Sequence, residues 1–71
     1  MSGMDGIIER LQRVIRQNGG PKKLSRRINR SEQCVYWWQE GERLPDALAL
    51  AELGRMGIDL NYLLLGRRRR A

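Results

Sequence analysis

Apolar residues recur along this chain at intervals of three and four, the spacing of amphipathic helices rather than the strict alternation of strands. Ile7, Ile8, Leu11, Val14 and Ile15 form one stripe, with Glu9, Arg10, Gln12, Arg13 and Arg16 facing out. Leu24 and Ile28 lie four apart, opposite Lys22, Lys23, Arg26, Arg27 and Arg30. In a third segment Val35 and Trp38, with Cys34 beside them, point inward, and Glu32, Gln33, Tyr36, Trp37 and Glu40 point outward. A fourth carries Ala47, Leu48, Leu50, Ala51, Leu53 and Met56 over a wide apolar arc, and a last one turns Leu60, Leu63 and Leu64 inward. The pattern predicts five helices and no strands, an all-α fold.

Residues between the stripes punctuate them. Asp5, Ser31, Asp46 and Asp59 supply side-chain oxygens for helix N-caps, and Gly20 caps a helix opened by Pro21, whose missing N–H costs nothing at a first helical position. Asn18-Gly19-Gly20, Gly41, Gly57 and Gly66 stop helices. Asn29 stands where the second and third helices must reverse, and asparagine enters the left-handed region more readily than other non-glycine residues. Ser25 is small where two helix axes cross at about 8 to 10 Å. Two short helices at a tight turn read as a DNA-binding helix-turn-helix.

This stretch resembles the phage repressor and Cro-like (XRE-type) family of helix-turn-helix regulators, in which a small, a turn and an apolar residue recur at fixed offsets. Here they are Ser25, Asn29 and Val35. The likeness continues through Trp38-Gln39-Glu40-Gly41 and Gly41-Glu42-Arg43-Leu44-Pro45 to Asp59-Leu60-Asn61-Tyr62-Leu63-Leu64-Leu65-Gly66, similar to the last helix of these domains. It implies a five-helix, lambda-repressor-like domain over residues 1–66. Two departures stand out. Pro21 occupies the place of a glutamine that contacts phosphate, and Asn29 that of a more usual glycine.

Composition narrows the function classes. A chain of 71 residues has room for one domain burying about 60% of its unfolded surface, too little for an elaborate enzyme site. No histidine and a single cysteine argue against an enzyme, a metal or other cofactor, and an intrachain disulfide. Cys34 is read as packing. No apolar run approaches the roughly 20 residues that span a bilayer, and no signal peptide opens the chain, so a cytoplasmic protein without membrane contact is expected.

Net charge is +6, unevenly spread: residues 1–30 carry +6, residues 31–66 carry −4, and Arg67 to Arg70 add +4. Positive charge concentrated on the helix before the reading helix suits a phosphate backbone. Lys22, Lys23, Arg26 and Arg27 are therefore expected to contact phosphate, though not all four at once. Backbone N–H groups near Gly20 and Ser31 add anion-binding helix starts. By resemblance, Glu32, Gln33 and Trp37 hold the positions that carry most base contacts. Glutamine pairs with adenine, glutamate accepts from cytosine N4, and tryptophan offers apolar surface to a thymine methyl. Tyr36 is assigned to sugar or phosphate.

Competing readings stay open. Trp38 is core; Trp37 reads as DNA contact, partner surface or packing over the domain edge. The basic face is DNA contact or ordinary solvated surface. Residues 67–71 form a disordered electrostatic arm or a linker. A domain this small needs two copies on a palindrome, so a homodimer on double-stranded DNA is expected, with Ile58, Leu60, Tyr62 and Leu63 as the self-contact unless all of them are core. The function expected is a sequence-specific transcriptional repressor of the phage type, either a stand-alone Cro-like protein or the amino-terminal piece of a longer one. Two alternatives are an antitoxin-type autoregulator whose acidic carboxy-terminal half binds a basic protein partner, and a nonspecific architectural DNA binder.

Overall fold

In the computed structural model, which describes residues 3–67, the chain forms α1 (Gly3–Gln17), α2 (Pro21–Arg27), α3 (Glu32–Glu40), α4 (Ala47–Arg55) and α5 (Leu60–Leu65). There is no strand among the described residues. The fold is all-α with five helices, as the periodicity predicts. Arg68 to Arg70, and with them the choice between arm and linker, lie outside the described residues.

The same pair of backbone bonds closes four of the helices. At the end of α2 the Arg30 N–H donates to the Ser25 carbonyl (2.9 Å) and the Asn29 N–H to that of Arg26 (3.4 Å). This is the Schellman arrangement, and it needs a left-handed residue at its centre. Asn29 supplies it with φ 55°, the one non-glycine residue with positive φ among those described. Glycines 19, 41 and 57 occupy the equivalent places after α1, α3 and α4.

Helix starts follow the side-chain signals in three cases. Ser31 accepts from the Cys34 N–H, Asp46 from that of Ala49, and Asp59 from those of Asn61 and Tyr62. Gly20 begins α2 by conformation alone, with φ 93°, ψ 174° and no side-chain cap. Asp5 is a correction: α1 already begins at Gly3, so Asp5 lies inside its first turn instead of ahead of it.

Every helix contributes to one core: Leu11, Val14 and Ile15; Leu24 and Ile28; Val35 and Trp38; Ala49 and Leu53; Leu63. Each leucine, isoleucine or valine among them contributes about 1.5 to 3 kcal/mol when fully buried. α2 packs on α3, α1 packs against α2, α3 and α5, and α4 approaches only α5 with its backbone. Ser25 is buried, and its hydroxyl donates to the Lys22 carbonyl at 2.8 Å, so a small polar residue sits in the core without an unsatisfied group.

The apolar surplus at the carboxy-terminal end divides differently from the expectation. In α4 the buried pair is Ala49 and Leu53, four apart, whereas Leu48 is 62% exposed. In α5 Leu63 is fully buried, while Leu64 turns outward and Leu65 is 67% exposed. Leu63 is thus spent inside its own domain and is unavailable for self-contact. Ile58, Leu60 and Tyr62 are half-buried and lean on the same core. In the six residues of α5, Leu63 is the fully inward position, with Leu60 three residues earlier leaning on the same core.

Candidate nucleic-acid interface

Outward positions of α2 and α3 carry the candidate site. Lys22, Lys23, Arg26 and Arg27 are all exposed, because Leu24, Ser25 and Ile28 take the inward side of a helix only two turns long. Lys23, Arg26 and Arg27 line a shallow hollow with Gln17, Asn18 and Gly19, and Lys22 stands apart from it. Arg27 donates to the Asn18 side-chain oxygen at 3.3 Å, which draws it towards the end of α1. The four cations therefore do not share one direction.

On α3, burial of Val35 and Trp38 leaves Glu32, Gln33, Tyr36 and Glu40 exposed. Glu32 in the first turn is favoured by the positive end of the helix dipole. Cys34 is half-buried, unpaired with any other cysteine and packed on the core. Trp37 is half-buried, and the Arg43 guanidinium lies 4.1 Å from the centre of its ring. One face of the indole is covered by this cation, as the ring's quadrupole favours. Only the remainder of Trp37 is open to solvent.

Two arginines not singled out by the sequence join the site. Arg43 reaches Trp37 across the left-handed bend at Gly41, a contact between residues six apart that no helical spacing announces. Arg16 lines a polar groove with Gln12, Gly20, Pro21, Gln39 and Glu40, where the end of α1 meets the start of α2 and the end of α3. Gln12 ties this corner together by donating to the Gln39 carbonyl at 2.8 Å.

Three arginines expected to face solvent bond to other parts of the fold, Arg10 and Arg30 half-buried and Arg13 still exposed. Arg10 donates from Nε to the Leu63 carbonyl (3.0 Å) and from Nη2 to that of Leu64 (3.4 Å), satisfying carbonyls at the end of α5. Arg13 donates to the Tyr62 hydroxyl at 3.0 Å. Arg30 pairs with Glu52 (3.1 Å) and Asp46 (3.4 Å). Its hydrogen bond to Glu52, with the field of both carboxylates, holds the guanidinium above its ordinary range against the opposing effect of desolvation. Arg30 is therefore removed from the outward basic set.

Among the described residues no group of three His, Cys, Asp or Glu is gathered as a metal site would require, and no helix is long and apolar enough to cross a membrane. Comparison with family models, with curated proteins and with solved structures finds no match to the chain.

Proposed function

We propose that the chain is a sequence-specific DNA-binding regulator of the phage repressor and Cro-like type, in which α2, the turn at Asn29 and α3 act as a helix-turn-helix. The observation that supports this most is the turn itself. A buried serine at the helix crossing, a left-handed Asn29 and a Ser31 cap join a cation-rich helix to one whose outward side chains include Glu32 and Gln33. Gln33 reads adenine and Glu32 selects cytosine while repelling phosphate, so Glu32 sharpens specificity more than it raises affinity. Trp37 contributes through the part of its ring that Arg43 leaves open. Lys22, Lys23, Arg26 and Arg27, the helix starts near Gly20 and Ser31, and Tyr36 engage the backbone.

The protein acts in the cytoplasm by occupancy and not by catalysis, as two copies on half-sites roughly 34 to 36 Å apart. With Leu63 committed to the core, the self-contact draws on the exposed Leu64 and Leu65 beside the half-buried Leu60 and Tyr62.

Selection of bound sequences from a random duplex pool at two salt concentrations tests the reading. An enriched palindrome supports it; binding without enrichment that vanishes as salt rises removes it in favour of an electrostatic grip alone. A second reading, a module for a basic protein partner, draws on the absence of any basic side chain from the outward positions of α3, where Glu32 and Glu40 are exposed. Failure to bind duplex, together with capture of a small cationic protein by the wild type but not by a Glu32→Gln, Glu40→Gln double variant, would favour it.

A further inference from the structure

Two consecutive residues join three helices. The backbone N–H of Arg30 closes the end of α2 on the Ser25 carbonyl, and Ser31, the next residue, caps the start of α3 through the Cys34 N–H. The Arg30 side chain runs the other way. Its Nε and Nη2 both donate to Oε1 of Glu52, at 3.2 and 3.1 Å, and Nη2 also reaches Oδ1 of Asp46 at 3.4 Å. That same Asp46 oxygen accepts from the Ala49 N–H at 2.8 Å and so caps α4.

The backbones of α2 and α3 make no close approach to α4, which packs its own backbone only on α5. Side chains of all three helices meet in the core, and beside it one planar guanidinium ties the turn to both the N-cap and the middle of α4. The side chains of Arg30 and Glu52 are 22% and 23% exposed. A pair so shielded, with two donors on one oxygen, outlasts the salt concentrations that screen open surface charges.

We propose that Arg30 is a positioning residue that sets the start of α3 against α4 and thereby fixes how Glu32 and Gln33 are presented. This rests on the DNA-reading proposal only for what those two side chains touch; the placement itself does not depend on it.

The test compares Arg30→Met, which keeps the aliphatic stem, with Glu52→Gln, which keeps the shape, and with the exchanged pair Arg30→Glu/Glu52→Arg. Backbone amide spectra and hydrogen exchange are recorded on the full chain. Expected are shifts confined to residues 31–36 and 46–53, with exchange at Cys34 and Ala49 several-fold faster, the amides of α1 and α5 in place, and restoration by the exchanged pair. Should Arg30→Met fail to fold, Glu52→Gln shows the same confined shifts in weaker form. Changes spread evenly through the chain, or an α3 that does not respond to either variant, overturn the proposal.

Binding to the selected duplex separates this from the DNA reading. Displaced α3 amides with weakened duplex binding support both. Displaced amides with duplex binding untouched uphold the positioning role and count against base contact by the start of α3.

Discussion

Lys22, Lys23 and Arg26 on α2 and Arg10, Arg13 and Arg30 elsewhere are basic residues of the same amino-terminal half, yet the molecule uses them in opposite ways. The first three stand exposed on a two-turn helix. The second three reach across the fold to α5 carbonyls, a tyrosine hydroxyl and two α4 carboxylates. Only cations left to solvent release counterions when they meet a phosphate. With Arg10 and Arg30 half-buried in their bonds, the +6 carried by residues 1–30 overstates the charge left open to an anionic partner, and the difference is set by which helix each residue can reach across the core.

The largest effects test where the apolar side chains belong. Leu63→Ala is expected to cost about 2 to 5 kcal/mol, enough to unfold much of so small a domain, whereas Leu65→Ala stays within about 0.5 kcal/mol, both read from thermal unfolding. Equal losses would break the division of α5 into a buried and an exposed leucine. Next comes Gln33→Ala, which should weaken binding to the selected duplex by about 1 to 3 kcal/mol and relax a single base position, with the melting midpoint unchanged.

Arg10→Met sharpens the contrast between the two sets of cations. Loss of its bonds to the α5 carbonyls should lower stability by about 1 to 2 kcal/mol and leave the salt dependence of duplex binding as it was. Asn29→Ala should cost about 1 kcal/mol, since a Cβ penalises the left-handed turn, while Asn29→Gly should be close to neutral in the same melt. A small change in stability, under about 0.5 kcal/mol, is predicted for Arg26→Ala, yet this variant should flatten the salt slope by about one unit. An Arg26 variant that melted early with its slope intact would place it among the internal arginines.

Local signals were the legible part of the fold. Ser31, Asp46 and Asp59 cap, and Asn29, Gly41, Gly57 and Gly66 terminate, because each requirement is met within a few residues of chain. Inward stripes were legible where a helix has two or more neighbours to bury against, as in α1 and α3. They misled in α4, where Leu48 is as apolar as Leu53 and only tertiary packing separates them. The exposure of Lys22, Lys23, Glu32 and Gln33 could be read from periodicity. The contact of Arg43 with Trp37 and the internal bonds of Arg10 and Arg30 could not, since the partners lie across a left-handed bend or on another helix.

The bond from Arg10 to the Leu63 carbonyl joins residues 53 apart, and α1 packs on α5. On a ribosome, the turn between α2 and α3 needs only neighbouring chain and can close early. The first helix can seat on the second and third, but its contact with the fifth must wait for that helix to emerge, since contacts so distant in sequence form last and cost the most loop entropy. A nascent chain that has not yet released α5 therefore lacks Leu63 over its core and the bond that Arg10 makes there, and the apolar surface left open is a substrate for chaperones.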